Sequence, residues 1–144
     1  MIKGLTLTKL KIIKTPKGDV LHAIKSSEKT FSGFGEAYFS TVNKGDVKGW
    51  KKHSSMILNL IVPTGSVRFV AYDDRIYSPT KGDFFEVILN SENYQRLTID
   101  PNIWLAFQGL AQENMLLNLA SIEHDPDEAV SLDLEKINYS WGIK

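Results

Sequence analysis

The sequence contains no cysteine, which excludes a disulfide framework and any thiolate metal site. It has no excess of charge: 17 Lys and Arg balance 17 Asp and Glu. A balanced chain sets up no long-range field to gather a polyanion, so neither nucleic acid nor an anionic membrane surface is expected as its main partner. Apolar runs are only a few residues long, too short to cross a bilayer. The start does not read as a signal peptide, because Lys3, Lys9, Lys11 and Lys14 break any apolar stretch there. The expectation is a soluble, cytoplasmic protein. Histidine is scarce as well, with three in 144 residues, and that scarcity limits what the chain can do with a metal.

What is present is apolar and β-branched. A hydrophobic fraction of 42% fills one core in a chain of this length, which predicts a single domain over residues 1–144. Helical periodicity is weak, and strand signals recur at short intervals. Leu5 to Ile13 alternates apolar residues with Thr and Lys, ending at Thr15-Pro16-Lys17-Gly18. Further strands are predicted over 19–24, 36–42, 57–62, 66–72, 83–89, 94–99, 103–107 and 115–121. Pro63-Thr64-Gly65 between two β-branched runs reads as a hairpin turn. Asp125-Pro126-Asp127-Glu128-Ala129 sets an N-cap before a proline and predicts one or two helical turns. Many short strands joined by turn chemistry predict an all-β sandwich or closed barrel.

The stretch from Gly45 to Gly65, GDVKGWKKHSSMILNLIVPTG, resembles the first motif of the cupins. Gly45, Lys51, His53, Leu58 and Gly65 keep that motif's spacing, but Lys51 and Leu58 stand where a metal-binding cupin has His and Glu. The second motif's His corresponds to Leu105. One imidazole cannot hold Zn, Fe or Mn, which take three or four N or O ligands, so no metal and no other cofactor is expected.

A longer resemblance follows. VAYDDRIYSPTKG (Val70 to Gly82), VILNSEN (Val87 to Asn93) and IDPNIWLAF (Ile99 to Phe107) are similar to consecutive strings of the dTDP-4-dehydrorhamnose 3,5-epimerase family. Upstream, VKGW (Val47 to Trp50) resembles that family's Leu-Arg-Gly-Leu. The likeness runs in order from about Gly33 to Trp141, and it implies a cupin fold, the double-stranded β-helix or jelly-roll barrel.

That family removes a proton beside the keto group of a dTDP-4-keto-6-deoxyhexose with a His held by an Asp, and a Tyr returns one from the other face. Residue by residue, the chain departs from that set. The catalytic His becomes Lys51, a second pocket His becomes Leu105, and the tyrosine regions correspond to Asn118 and to Glu123-His124. The orienting Asp would fall past Trp141, and the sequence ends three residues later. The resemblance implies a dTDP-sugar-like ligand, with Lys48 keeping the positive charge of an Arg that meets the nucleotide phosphates. His53 matches the second His of the His-x-His of the related 3,4-ketoisomerases. Residues two apart on a strand share a face, so Lys51 and His53 are the candidate proton-transferring pair. Candidate substrate contacts are Lys48, Asn59, Tyr72, Asn118 and His124.

Two functional readings follow: a metal-free sugar-nucleotide isomerase or epimerase with altered catalytic residues, or a barrel that lost catalysis and binds a nucleotide sugar or a partner protein. Other residues read structurally. Trp50 points away from Lys51 and packs outside the barrel or at a subunit contact, while Trp104 and Phe107 belong to the core. Asp73 and Arg75 pair to organise the Ser78-Pro79-Thr80 turn, and Asn102 takes a left-handed turn position. Lys48, Lys51 and Lys52 form one basic patch, and His22 lies on the surface. Phe31, Phe34, Tyr38 and Trp50 near strand edges predict a homodimer.

Overall fold

The computed structural model describes residues 1–142. Within them run β1 (Leu5–Lys9), β2 (Ile12–Ile13), β3 (Val20–Leu21), β4 (Glu36–Thr41), β5 (Val47–His53), β6 (Leu58–Thr64), β7 (Val67–Tyr72), β8 (Phe84–Leu89), β9 (Gln95–Ile99), β10 (Trp104–Gly109), β11 (Met115–Ala120) and β12 (Ala129–Ser131). A short 3-10 turn, Leu134–Lys136, follows. The strands make two five-stranded antiparallel sheets, ordered β1-β9-β6-β11-β4 and β12-β5-β10-β7-β8, and β2 and β3 form a small separate ribbon. The chain changes sheet at every step from β4 to β7 and again from β8 to β12. This winding lays one sheet over the other as a jelly-roll barrel, the cupin fold.

Strand alternation explains where the core lies. Leu58 and Leu60 of β6, Leu97 and Ile99 of β9 and Leu116 of β11 face Val67, Phe69 and Ala71 of β7 and Leu105 of β10, all buried in one cluster. The opposite face of the second sheet is apolar too. Trp50, Val70, Trp104 and Ala106 lie there under the chain's own C-terminal segment, packed by Ile137 and Trp141. Trp50 is fully buried, and its indole Nε1 donates to the carbonyl of Leu134 at 3.2 Å. Trp50 therefore packs outside the barrel as expected, and its cover is residues 134–141 of the same chain. Trp104 belongs to this outer layer, whereas Phe107 packs against the inner core.

Several local expectations are corrected. The run from Leu5 to Ile13 is two strands, because β1 leaves β9 after Lys9 opposite Gln95 and Ile12 pairs instead with Leu21. Pro63-Thr64-Gly65 does not close a hairpin: β6 and β7 sit in different sheets, and the turn is a corner between them. Gly65 has φ +82°, and a Cβ there would meet the Glu113 carbonyl oxygen at 2.0 Å, so the corner requires glycine. The helix over 125–129 does not form. The Asp125 carboxylate accepts from the Asp127 backbone N–H (2.9 Å), and the Glu128 N–H donates to the Asp125 carbonyl (3.1 Å), closing a single turn. Ala129 then pairs with His53 as β12 begins, and so short a segment cannot offset helix nucleation.

The Asp73 turn is built as expected. Its carboxylate, wholly buried, accepts from Arg75 Nε and Nη2 at 2.8 Å each and from Ser78 Oγ and Thr80 Oγ1 at 2.6 Å each. Asn102 has φ +68°, the left-handed position assigned to it.

Candidate active site

The site is built on β5, where simple alternation fails. Lys51 pairs with Leu105 and Lys48 with Phe107, but Gly49 pairs with Ala106, so Trp50 is an extra residue in the ladder. Such a bulge shifts the residues before it by one face. Lys48, three positions before Lys51, would otherwise point away from it; here Lys48, Lys51 and His53 all line the same cavity. Gly49 allows the bulge to sit tight on β10. Its φ is +140°, and an added Cβ would lie 2.5 Å from the Cβ of Ala106.

The cavity has a volume of about 410 Å³. Its apolar lining comes from Leu58, Leu60, Leu105, Phe107 and Leu116, and its polar groups from β5, from Tyr38 and Ser40 on β4, from Asn118 on β11 and from Ser131 on β12. Few polar groups converging in a mostly apolar cleft is the usual build of a small-molecule site. Lys51 and Lys48 are exposed, and Lys48 Nζ donates to the Thr41 carbonyl at 2.6 Å.

His53 sits deeper. Its Nδ1 is 2.5 Å from Oε1 of Glu128, with the two side chains only 11% and 7% exposed. The other carboxylate oxygen of Glu128 accepts the backbone N–H groups of Ser55 (2.9 Å) and Met56 (3.0 Å). Burial alone would raise the Glu128 carboxyl, but the hydrogen bonds from His53, Met56 and Ser55 outweigh it and hold the group below its ordinary value. An ionised Glu128 accepts a hydrogen bond from Nδ1–H, which leaves Nε2 as the ring nitrogen without a proton, able to accept one. The pair can remove a proton from a carbon acid held in the cavity.

Asn118 is almost fully buried; its Nδ2 donates to the Tyr38 hydroxyl at 3.0 Å and its Oδ1 accepts the Asn59 N–H at 3.2 Å.

Other candidates lie elsewhere. Asn59 points to the outer face of the first sheet, where its Oδ1 accepts from Thr98 Oγ1 (2.7 Å) and its Nδ2 donates to the Thr30 carbonyl (3.3 Å), because its neighbours Leu58 and Leu60 take the inner face. Tyr72 lies on the outside of the second sheet, with its ring 4.6 Å from that of Phe84. His124 is exposed on the link between β11 and β12 and does not line the cavity. The basic patch is divided: Lys52 faces outward, 3.2 Å from the Asp74 carboxylate and 4.7 Å from the Trp104 ring centre. His22 is half-buried, and its carbonyl accepts from the Tyr94 hydroxyl. Sequence reasoning missed Glu128, read as part of a helix start, and Tyr38, read as an apolar edge residue. The stretch beyond Gly142, toward which the epimerase resemblance places an orienting Asp, lies outside the described residues. Among the described residues no three His, Cys, Asp or Glu side chains gather into a metal-binding group, and no helix is long and apolar enough to cross a membrane.

A jelly-roll barrel whose cavity carries a histidine–carboxylate pair defines a cupin with a candidate acid–base site. The family model described as FdtA: WxcM-like, C-terminal matches residues 3–135, and the chain belongs to that family. Its structure superimposes on a dTDP sugar isomerase from Desulfovibrio desulfuricans G20 with a TM-score of 0.94 and 36% identity, covering 98% of this chain and 92% of that one. The dTDP-4-dehydrorhamnose 3,5-epimerase of Sulfolobus tokodaii is similar at a TM-score of 0.85 and 26% identity, over 95% of this chain and 81% of that one. The probable low-salt glycan biosynthesis epimerase Agl13 of Haloferax volcanii is 30% identical over 114 residues, 75% of this chain and 73% of that protein. The resemblance to the dTDP-4-dehydrorhamnose 3,5-epimerases is borne out in the fold, and the family the chain belongs to is the WxcM-like one.

Proposed function

We propose that the protein is a sugar-nucleotide isomerase or epimerase that acts on a dTDP-4-keto-6-deoxyhexose by metal-free proton transfer. The observation that carries the reading is the buried His53–Glu128 pair in a cavity shared with Lys51 and Lys48. Glu128 fixes the imidazole, and Nε2 of His53 takes the proton from the carbon beside the ketone. Lys51 donates to the keto oxygen as negative charge develops there, a contribution that grows toward the transition state. Lys48 meets the diphosphate as a point charge. Lys51 stands where the parent family has its catalytic His and Asn118 in one of its tyrosine regions, and His53 with Glu128 takes over the base's work. The histidine–carboxylate pair favours catalysis over a barrel that only binds.

The test is hydrogen exchange. Incubated with a dTDP-4-keto-6-deoxyglucose in D2O, the protein incorporates deuterium at C3 or C5, and His53→Asn abolishes it. Binding of dTDP with no exchange above background overturns the enzymatic reading. We further propose a homodimer, because Phe34 and Phe39 are about two-thirds exposed (66% and 64%) on and beside the edge strand β4. A monomer at micromolar concentration in sedimentation contradicts it.

A further inference from the structure

Resting on the reading of Lys48 as the diphosphate contact, we infer that Trp141 is a positioning residue for nucleotide binding. By holding Trp50 in the β5 bulge it keeps Lys48 turned into the cavity. Trp141 does not line that cavity and belongs to the apolar layer on the other face of the second sheet.

The link begins in the backbone of Trp50. An extra residue in a ladder loses its partner on the neighbouring strand, and buried N–H and C=O groups left unpaired are costly. Here β10 pairs with Gly49 and with Lys51 and passes over Trp50. The segment after β12 supplies what β10 does not. Trp50 N–H donates to the Leu132 carbonyl at 3.1 Å, and the Trp50 carbonyl accepts the Leu132 N–H at 3.0 Å. The indole Nε1 donates to the Leu134 carbonyl at 3.2 Å. Residues 132–134 are thus the ladder partner of the bulged residue, and the bulge depends on their staying in place.

Side-chain packing holds them there. The rings of Trp50 and Trp141 lie 5.8 Å apart, and Tyr139 meets Trp141 edge-on at 4.8 Å. Trp141 is fastened to the sheet as well, because Arg68 Nη1 donates to its carbonyl at 3.1 Å. Both tryptophans are buried. Without the Trp141 ring, Trp50 loses its cover, and β5 is free to return to regular alternation, which turns Lys48 outward. Lys51 and His53 are held separately. Lys51 pairs with Leu105 and Ser131, and His53 pairs with Ala129. Trp141 therefore acts on the grip on the nucleotide and not on proton transfer.

The experiment is a double-mutant cycle on dTDP affinity by calorimetry, with turnover followed as deuterium exchange into a dTDP-4-keto-6-deoxyglucose. Trp141→Leu weakens dTDP binding about tenfold. The same substitution made on Lys48→Ala weakens it further by less than about twofold, because the side chain it positions is gone. In the exchange assay KM rises with the dTDP dissociation constant, while kcat stays within about threefold of the parent value. Trp141→Phe, which keeps an aromatic ring over Trp50, recovers most of the affinity. If Trp141→Leu does not fold, Trp50→Phe takes its place in the cycle. That variant keeps a ring and loses the bond to Leu134, and its effect on dTDP affinity must likewise disappear on Lys48→Ala. Equal losses with and without Lys48, or a fall in kcat with dTDP affinity intact, overturn the inference. Binding of dTDP by the parent protein without exchange overturns the proposed function alone, and the cycle still decides the role of Trp141. A parent protein that does not bind dTDP overturns both.

Discussion

Nδ1 of His53 and Oε1 of Glu128 meet at 2.5 Å although 75 residues separate them in the chain. The contact exists because β12 pairs with β5 and begins at Ala129 opposite His53, which brings the preceding residue over the imidazole. Glu128 is bound on its other oxygen by two backbone N–H groups, so its position is held by the fold and not by His53 alone.

Glu128 is thus a positioning residue, and its removal has a specific signature. Glu128→Gln keeps the shape but presents no carboxylate to Nδ1, so the imidazole loses the partner that selects its tautomer and stabilises its charged form. The exchange rate falls about 10²-fold, with little change in dTDP affinity measured by calorimetry. Loss of dTDP binding to the same extent would mean that the residue only holds the cavity open. The pH dependence has a defined sign. The folded-state carboxyl of Glu128 is depressed below the ordinary glutamate value of 4.5, so its stabilising contribution is present above that value and is lost as pH falls through the lower folded value.

The bulge at Trp50 makes a separate prediction. Gly49→Ala forces a Cβ to within 2.5 Å of the Ala106 Cβ and 2.9 Å of the Leu105 carbonyl oxygen, at a φ of +140° that L residues rarely adopt. Overpacking of this kind costs about 1–3 kcal/mol, which urea denaturation measures. Because the bulge is what turns Lys48 toward Lys51, the variant also weakens dTDP binding more than Lys52→Ala does. Lys52 faces the outer layer, so equal losses in the two variants would contradict the geometry.

How much of this was legible follows from which signals are local. Strands such as β7 and β10 could be read because buried and exposed residues alternate within a few positions. Which strands pair could not: Pro63-Thr64-Gly65 has the chemistry of a turn but does not say whether the chain turns back within a sheet or crosses to another. The shared face of Lys51 and His53 was readable from their spacing. The inward face of Lys48 was inferred by resemblance, against alternation, and only the register with β10 explains it. Glu128 was invisible because its partner is remote in sequence and its neighbours Asp125 and Pro126 carry a strong but misleading helix-start pattern. Asn59 was misplaced for the opposite reason: a polar residue in an apolar strand suggests a cavity, yet the outer face of this sheet is polar and covered.

Asp73 predicts acid sensitivity of the loop before β8. The Arg75 guanidinium, with Ser78 and Thr80, holds this carboxyl far below the ordinary aspartate value of 3.8 even though burial opposes it. A depressed carboxyl stabilises the fold above its unfolded value, and that contribution drains away as pH falls below about 4 toward the folded value. The parent protein therefore loses stability steeply below that pH, and Asp73→Asn, less stable at neutral pH, shows a flatter profile there. Removing one partner of a buried pair costs about 3–5 kcal/mol, and chemical denaturation at pH 7 and pH 3 checks both statements. Equal slopes in the two proteins would mean that Asp73 is not the group that titrates.

The outer face of the first sheet offers a last prediction, one that should leave the chemistry untouched. Arg96 is fully buried and donates to the Ala23 carbonyl (2.6 Å), to Thr30 Oγ1 (2.8 Å) and to the Glu28 carboxylate, tying the segment from 23 to 30 across the sheet. Arg96→Met strands the Glu28 carboxylate and frees that segment. The expected result is a loss of about 3–5 kcal/mol together with faster tryptic cleavage after Lys25 and Lys29. Because Arg96 and the cavity lie on opposite faces of the sheet, deuterium exchange into substrate stays near the parent rate at a temperature where the variant is folded. Adding Glu28→Met to Arg96→Met removes the uncompensated charge, so the double variant is more stable than Arg96→Met alone. If the second substitution instead lowers stability further, Glu28 holds the segment independently of Arg96, and the ion pair is not what fastens it.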